Sequence, residues 1–441
     1  MTLPPIPHSE FRNPHSDVPH SALSTPHSAI KVLLVDDSPI ALAIIKRILS
    51  TSPDIQVVDT AANGKEALKL IPRLQPDVIC TDLHMPVMDG LEFTKEVMAR
   101  YIRPILVLSI SVQKEQTQNV FKLLDAGAID VIAKPLGGLE ANAKLDAQEL
   151  ISKIKILSGV TVIPQRRHRS SASNAEQQSA ECGMRIAEHP NAECGLRNAE
   201  LKPPAVQSTL RIPHSAIEYS ALRNSHSAIE YSAIEHSVRI IGIGASTGGP
   251  QALQAILMHL PASLPVPVVC VQHISEGFMQ GMVDWLAAQC PIRIRTAETG
   301  DIPQPGTVYF PRDNAHLKID GEGKLLCTSE PVYNGHRPSV SVAFTSLARH
   351  FGSAAAGVLL TGMGRDGVDG LHAIAQAGGV TIAQDEESSI VFGMPKLAFE
   401  EGAARYVLPL NKIAEALISI SECGVRSAEH TNADCGVRIA E

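Results

Sequence analysis

The chain has 441 residues, a formal net charge of −8 at pH 7 and a hydrophobic fraction of 44%. The negative charge argues against broad nucleic-acid binding, and no apolar run reaches the roughly 20 residues of a membrane-spanning helix. The N-terminus lacks the basic and hydrophobic regions of a secretory signal, and the cysteines outside the repeats show no C-x-x-C spacing. We therefore expect a cytoplasmic protein without membrane insertion.

Three stretches are low-complexity sequence: residues 1–29, 158–237 and 421–441. The first carries Pro-His-Ser four times, and the second contains the direct repeat SAIEYSALRNSH, SAIEYSAIEHSV. ECGMRIAEHPNAECG from Glu181 returns as ECGVRSAEHTNADCG from Glu422. Units this short, two at a time, cannot stack into a solenoid, so we expect a flexible N-terminus, linker and tail. Two ordered domains remain, at residues 30–157 and 238–420.

In residues 30–157, short apolar runs alternate with helix-like stretches. The runs are Lys31 to Val35, Ile55 to Val58, Val78 to Cys80, Ile105 to Leu108 and Val131 to Ala133. Five short strands interleaved with helices predict a doubly wound parallel sheet. Polar residues follow these strands: Asp36 and Asp37 the first, Asp82 the third, Ser109 the fourth and Lys134 the fifth. Such strand ends meet at one edge of the sheet.

Three carboxylates at one sheet edge repel one another unless a cation lies between them, and oxygen-rich sites of this kind suit Mg²⁺. Asp82 could then attack a phosphoryl group, with Lys134 and the metal sharing the charge of the transferred oxygens. The alternative is that acids gather at strand ends because loops are exposed. The complete set, with a lysine after the fifth strand, favours a phosphoryl-transfer site.

Residues 30–157 resemble the receiver domain of two-component response regulators, at VLLVDDS, TDLHMPVMDG and AKP. The resemblance implies a flavodoxin-like fold and phosphorylation of Asp82 by a partner histidine kinase. It also implies Mg²⁺ held by Asp36, Asp37, Asp82 and the backbone carbonyl of His84, Ser109 closing on the phosphate, and a cis bond before Pro135. Val131 stands where many receivers carry an aromatic switch residue.

The segment IIGIGASTGGP, residues 240–250, places Ser246 in a glycine-rich bend after an apolar run. Enzymes with α/β folds keep nucleophiles at such a bend. The alternative is a dinucleotide-binding turn, in which the backbone N–H groups near Gly242, Gly244 and Gly248 would face a pyrophosphate.

The end of the next strand separates these two interpretations, because a cofactor site needs a ribose-binding acid there and a hydrolase needs a base. The apolar run Val266 to Val271 ends in Gln272 and His273. An imidazole at this position favours the hydrolase.

A third strand end supplies a carboxylate. VLLTGMGRDGVDG, residues 358–370, puts Asp366 in a glycine-rich turn after an apolar run. As a triad, His273 would take the proton of Ser246, and Asp366 would hold the imidazole tautomer. The backbone N–H of Met363, between two glycines, could face a developing oxyanion.

Other residues near these positions are weaker candidates. Asp369 would lie on the surface of a helix starting near Gly367, where it stabilises the helix dipole. His316, His336 and His372 do not follow strands, and we interpret each as structural or surface.

Residues 238–420 resemble the catalytic domain of the chemotaxis protein-glutamate methylesterases, at GASTGGP, QHI, RPSV, TGMGRDGVDG and QDEESSIVFGMP. The resemblance implies a Rossmann-like α/β domain that needs no cofactor, hydrolyses glutamate methyl esters on chemoreceptor helices and often deamidates receptor glutamines. It assigns Ser246 as nucleophile, His273 as base, Asp366 as the orienting acid and the Met363 N–H as an oxyanion donor. Ser341 stands where aspartate is usual, which puts a local support contact in doubt.

In this family the unphosphorylated receiver covers the active site, and phosphorylation relieves the inhibition. The linker here is far longer than usual, and effective concentration falls with tether length, so we expect weaker autoinhibition. Other classes stay open: a phosphorylation-dependent binding module, a receiver with DNA-binding output, or a general small-ester hydrolase. The intact Ser246, His273 and Asp366 argue against the first, and the βα alternation argues against the second. Only an assay with substrate separates the general small-ester hydrolase from a receptor methylesterase.

Overall fold

The computed structural model describes residues 29–110, 114–135, 141–160, 162 and 238–433. Most of the N-terminal stretch and linker, with the last residues of the tail, lie outside these ranges. The chain forms two compact units, one of residues up to Ile110 with Val131–Val160, the other of Ser111–Asp130 with the chain from Thr161. No helix within the described ranges is long and apolar enough to cross a bilayer.

A five-stranded sheet in the order β2-β1-β3-β4-β5 lies in the N-terminal part of the chain. All five predicted strands are present, and β1 pairs in parallel with β2 and β3, as β3 does with β4. The elements are β1 Ile30–Val35, α1 Pro39–Leu49, β2 Ile55–Ala61, α2 Gly64–Leu74, β3 Val78–Thr81, α3 Gly90–Arg100, β4 Ile105–Ser109, α4 Lys114–Asp125, β5 Asp130–Ala133 and α5 Ala141–Ser158. This strand order is that of a flavodoxin-like fold.

A seven-stranded sheet in the order β14-β13-β12-β6-β7-β9-β8 organises the second unit, and every pair in it is parallel. Its strands are β6 Ile240–Ala245, β7 Val268–Gln272, β8 Arg293–Thr296, β9 Thr307–Phe310, β12 Ala355–Leu359, β13 Val380–Gln384 and β14 Tyr406–Leu408. The helices are α6 Gly249–Leu257, α7 Met279–Ala287, α8 Val340–Phe351, α9 Val368–Gln376, α10 Met394–Glu400 and α11 Leu410–Ala433. The predicted class, two doubly wound α/β domains, is confirmed.

The first strand of this sheet, β6, lies at its centre, with β7 on one side and β12 on the other. The chain therefore changes direction across the sheet at β6. Ligands of open α/β sheets bind beyond the carboxyl ends of the strands at such a point. Three of the predicted catalytic residues follow these three strands.

The glycines of β6 make room for α8. A Cβ on Gly244 would lie 2.2 Å from Val340 Cγ1, and one on Gly242 would lie 2.7 Å from Leu347 Cδ1. Real side chains are not found at such distances, so glycine at both positions lets α8 pack directly on the strand. These two glycines therefore serve helix packing, and the structure gives the dinucleotide-turn alternative no support.

Two features of the second unit differ from the predicted pattern. An antiparallel pair, β10 His316–Ile319 with β11 Leu325–Thr328, lies outside the parallel sheet. Helix α11 continues to Ala433, although we expected a flexible tail from residue 421. The added sequence contains no proline, and its one glycine, Gly424, does not interrupt the helix.

Candidate active site

Ser246 directly follows β6 and is held by both neighbouring strands. Its N–H donates to the Thr361 carbonyl, 3.0 Å away, beyond the end of β12. Its own carbonyl accepts a bond of 2.7 Å from the side chain of Gln272, the last residue of β7. The residue is 6% exposed. The backbone of Ser246 is therefore fixed on both sides, and its side chain lies at the carboxyl edge of the sheet.

Gln272 holds Ser246 and His273 together. Its Nε2 donates to the carbonyl of Ser246 and, at 2.8 Å, to the carbonyl of His273. The amide needs the space beside Gly249, where a Cβ would lie 2.0 Å from Gln272 Oε1. The His273 N–H also donates to the Ala245 carbonyl at 3.0 Å, which continues the β6–β7 ladder. Sequence analysis assigned no role to this buried glutamine.

The Asp366 carboxylate lies at the N-terminus of α8. Its Oδ1 accepts from Ser339 Oγ at 2.7 Å and from the Ser341 N–H at 3.2 Å. Its Oδ2 accepts from the Val340 N–H at 2.7 Å and from His273 Nε2 at 2.8 Å. The first backbone N–H groups of a helix have no partner within the helix, and its dipole favours an anion there.

These contacts set the ionisation of Asp366, which is 2% exposed. Burial by itself would raise its pKa, but the hydrogen bonds from His273, Ser339 and Val340 outweigh burial and hold the pKa well below its usual range. Asp366 is therefore a carboxylate at neutral pH.

The two ring nitrogens of His273 have different surroundings. Nε2 is bonded to Asp366, whereas Nδ1 is buried and has no hydrogen-bond partner among the described residues. An unpaired buried nitrogen is uncommon in folded proteins and calls for an explanation. If Asp366 accepts the Nε2 proton, the lone pair of the neutral ring is on Nδ1.

The turn after β12 lies against Ser246. A Cβ on Gly362 would be 2.5 Å from Ser246 Cβ, so Gly362 packs directly against Ser246. Met363, the next residue, has a side chain that is 53% exposed. The predicted oxyanion donor thus lies one residue from a glycine that touches Ser246.

Ser341, which stands where aspartate is usual, makes a buried contact near the site. Its hydroxyl, 1% exposed, accepts a 2.7 Å bond from the Gly367 N–H. The serine therefore joins α8 to the turn that carries Asp366. Asp369 lies in the first turn of α9 and pairs with Arg365 at 3.0 Å, as expected of a surface acid at a helix start.

The three histidines that the sequence left as weaker candidates differ in their settings. His316 is buried, with Nε2 bonded to the Pro331 carbonyl and Nδ1 accepting from the Ser339 N–H, which agrees with a structural role. His372 is half-buried on α9. The ring of His336 stacks on that of His273, with centroids 3.8 Å apart and planes 3° from parallel. The surface or structural interpretation of His336 missed this contact.

A second cluster lies at the carboxyl edge of the first sheet. Single carboxylate oxygens of Asp36, Asp37 and Asp82 lie within 4.8 Å of one another. Lys134 Nζ is 2.8 Å from Asp36 Oδ2 and 2.9 Å from Asp82 Oδ2, and Leu83 N–H donates to Asp82 Oδ1 at 2.7 Å. The structure thus brings together the three acids and the lysine that the sequence predicted.

Burial raises the pKa of Asp82, and neighbouring Asp36 adds to this, while Lys134 opposes both. Burial would lower the pKa of Lys134, but Asp36 and Asp82 outweigh it and raise the pKa. The lysine therefore stays charged between the two acids. Three carboxylates this close form a donor set that fits Mg²⁺.

Ser109 ends β4, is 5% exposed, and its carbonyl accepts from the Lys134 N–H at 2.9 Å. His84 lies in the exposed loop after Asp82.

The expected cis bond before Pro135 is wrong, since within the described ranges the cis bond is Arg337–Pro338. The trans form is lower in energy for most X-Pro bonds, and Lys134 reaches both acids with it. Val131 is buried in β5.

Two family models match separate parts of the chain. The CheB methylesterase family model matches residues 241–417, and the response regulator receiver domain model matches residues 32–146. The protein-glutamate methylesterase/protein-glutamine glutaminase of Nitrosospira multiformis is 36% identical over 89% of this chain and 97% of its own length. The second such protein of Methanospirillum hungatei is 36% identical over 89% of this chain and 99% of its own.

A solved structure, the CheB methylesterase catalytic domain of Thermotoga maritima, is 39% identical, covers 42% of this chain and 100% of its own, and has a TM-score of 0.41. The relatives from Nitrosospira and Methanospirillum align over nearly their whole length, across both domains. The chain therefore belongs to the protein-glutamate methylesterase/protein-glutamine glutaminase family, with a response-regulator receiver domain ahead of a CheB methylesterase domain.

Proposed function

We propose that this protein hydrolyses glutamate methyl esters on chemoreceptors, and deamidates specific receptor glutamines, with Ser246 as nucleophile, His273 as base and Asp366 as the orienting acid. The observation that carries the assignment is the asymmetry of His273, whose Nε2 is bonded to Asp366 while buried Nδ1 has no partner among the described residues. A general base needs one nitrogen fixed and the other available. Family membership supports the substrate class.

In the first half of the reaction Ser246 Oγ attacks the ester carbonyl carbon, and its proton passes to His273 Nδ1. The carbonyl oxygen becomes an oxyanion, to which the Met363 N–H donates. When the intermediate collapses, the bond to the methoxy group breaks and His273 returns the proton, so that methanol leaves. Asp366 stabilises the imidazolium in between without itself taking the proton.

In the second half, water repeats the attack on the acyl-enzyme. His273 removes a proton from the water, the bond to Ser246 breaks, and the serine regains a proton from His273. The product is a free glutamate side chain. With a glutamine substrate the leaving group of the first half is ammonia, and the product is the same.

The receiver domain controls this activity in the proposal. Asp82 accepts a phosphoryl group from a chemotaxis histidine kinase in the cytoplasm, and phosphorylation relieves inhibition of the esterase by the receiver. Asp36, Asp37, Asp82 and the carbonyl of His84 would hold Mg²⁺, which shields the negative charge of the incoming phosphoryl group. Lys134 pairs with the oxygens of the phosphorylated side chain, and Ser109 donates to them. The buried lysine between Asp36 and Asp82 supports this assignment.

The test is methanol release from methylated chemoreceptor membranes, with Mg²⁺ and a small phosphodonor added in half of the samples. We expect release that is lost in Ser246→Ala and that rises with phosphodonor in the wild type but not in Asp82→Asn. Release that persists in Ser246→Ala would contradict the nucleophile. A general small-ester hydrolase would cleave a soluble aryl ester through Ser246 and leave receptor esters intact, which would contradict the substrate.

A further inference from the structure

We propose that His336 is a positioning residue for catalysis: its ring, stacked on His273, fixes the plane of the catalytic imidazole. The two rings are 3.8 Å apart between centroids and 3° from parallel, so the full faces are in contact. His273 itself is 8% exposed, and His336 is half-buried. The inference deepens the proposed function and rests on His273 being the base.

The geometry of a histidine side chain explains why a second contact is needed. The torsion that turns the ring about the Cβ–Cγ bond has broad minima. Nε2 lies nearer this axis than Nδ1 does, so a given rotation moves Nδ1 further. The hydrogen bond from Nε2 to Asp366 therefore restrains the rotation weakly. A flat ring against the face of His273 restrains it directly and so fixes the direction of the Nδ1 lone pair.

A tight turn holds His336 in place. Tyr333 and His336 exchange two backbone hydrogen bonds of 3.0 Å across Asn334 and Gly335. These two central residues have φ of 50° and 81°, the left-handed values that Asn-Gly turns favour. The sequence of the turn therefore defines its geometry, and the turn fixes the backbone position of His336.

The segment after the turn is anchored by hydrogen bonds of Arg337 and Ser339. Arg337 donates from Nε to Asn314 Oδ1 at 2.8 Å and from Nη1 to the carbonyls of Ser329 and Glu330. Ser339 then donates to Asp366 at 2.7 Å. Within four residues the same segment thus supports the ring face of His273 through His336 and the carboxylate of Asp366 through Ser339.

The experiment measures activation of Ser246 directly, with a fluorophosphonate probe on the full-length protein. Ser246 Oγ forms a bond to phosphorus, fluoride leaves, and the proton goes to His273. The variants are His336→Ala, which removes the ring, and His336→Phe, which keeps a flat ring without nitrogens. The matched control is His350→Ala, whose ring lies edge-on to Phe351 at the far end of α8, with centroids 4.7 Å apart.

We expect His336→Ala to lower the second-order rate of labelling roughly 10- to 100-fold, because a small misplacement of a catalytic group costs this much. His336→Phe should stay close to the wild-type rate, and His350→Ala should equal it. Thermal unfolding is measured for every variant. If His336→Ala unfolds at a lower temperature than the wild type, His336→Leu is used instead of it. Leucine fills the space of the ring without presenting a flat face.

Two results would overturn the proposal. One is wild-type labelling in His336→Ala. The other is labelling of His336→Phe as slow as that of His336→Ala, which would assign the effect to the imidazole nitrogens. The probe reacts with an activated serine whatever the natural substrate is. If labelling depends on His336 but no methanol is released from receptors, the proposed receptor substrate is rejected. The positioning role of His336 is then still supported.

Discussion

Gly362 shows how closely the residues of the site are packed. A Cβ there would lie 2.5 Å from Ser246 Cβ and 2.6 Å from Met394 Sδ, distances that force either the serine or the turn to move. We predict that Gly362→Ala lowers kcat for methyl-ester hydrolysis about 100-fold, because displacement of the nucleophile is costly even when small.

The control for this substitution is Gly321→Ala, since a Cβ at Gly321 meets nothing within 4 Å. Steady-state kinetics of both purified variants check the prediction. Equal activity of the two would show that the turn can move away from Ser246 without harm.

The proposed role of Asp366 can be tested through both activity and stability. We predict that Asp366→Asn lowers kcat about 10⁴-fold, as loss of the orienting carboxylate does in other triads, whereas the fold is kept. Kinetics measured beside far-ultraviolet circular dichroism check this. Activity within tenfold of the wild type would remove Asp366 from the triad.

The lowered pKa of Asp366 has its own consequence for unfolding. A carboxyl group with a depressed pKa in the folded state contributes stability above its unfolded pKa of about 3.9, and this contribution is lost as pH falls through the folded value. The difference in unfolding free energy between wild type and Asp366→Asn should therefore shrink between pH 5 and pH 2, where unfolded histidines are already protonated. Urea titrations at several pH values measure it, and a constant difference would contradict the lowered pKa.

The strand-end rule predicted Ser246, His273, Asp366, Asp82 and Lys134 because parallel strands bring their carboxyl ends together whatever lies between them in sequence. It could not find His336, which follows a two-residue turn and reaches His273 through the path of the chain in space. Gln272 was also missed, since a polar residue ending a strand gives no sign that its amide bonds two neighbouring carbonyls.

At the scale of elements, α8 connects the sheet to the proposed triad. It packs on the glycines of β6, and its first turn binds Asp366. Two buried serines on α8 each accept a backbone N–H: Ser341 from Gly367, beside the site, and Ser346 from Ile319, at 3.0 Å, in β10. The two serines therefore make the same kind of hydrogen bond, one beside the site and one away from it.

We predict that Ser341→Ala and Ser346→Ala each lower the free energy of unfolding by about 1–3 kcal/mol, since each leaves a buried donor without its partner. Only Ser341→Ala should also lower kcat, because it loosens the turn that carries Asp366. Denaturant titration and steady-state kinetics of both variants separate the two effects. A similar loss of kcat in both would assign the effect to general instability.

Several of the strands that sequence analysis found are continuous buried runs of mainly apolar residues, such as β4 and β6. It did not name β8, β9, β10, β11, β13 or β14. Of these, β8, β10 and β11 are four residues long and partly exposed or mixed in composition. Such short segments become strands through pairing with a neighbouring strand, and their own pattern is weak. The reason for the glycines of β6 likewise appears only once α8 is in place.

At the scale of the molecule, we propose that the length of the sequence between the two domains sets how often they meet. Effective concentration falls roughly as the −3/2 power of tether length once a flexible tether exceeds the span it must bridge. We predict that deletion of residues 160–236 lowers the basal methylesterase rate and increases the stimulation by phosphodonor. Methanol release with and without phosphodonor measures both quantities. Unchanged basal and phosphorylated rates would show that the linker does not limit docking.

In the proposed mechanism, the bonds from the first turn of α8 to Asp366 mean that fraying of this helix end would inactivate the enzyme. Opening of that turn would release the carboxylate to water and leave His273 without its partner, although both sheets remain intact. Such local openings need less free energy than global unfolding. Heat can therefore inactivate this enzyme reversibly at temperatures where its overall fold still persists.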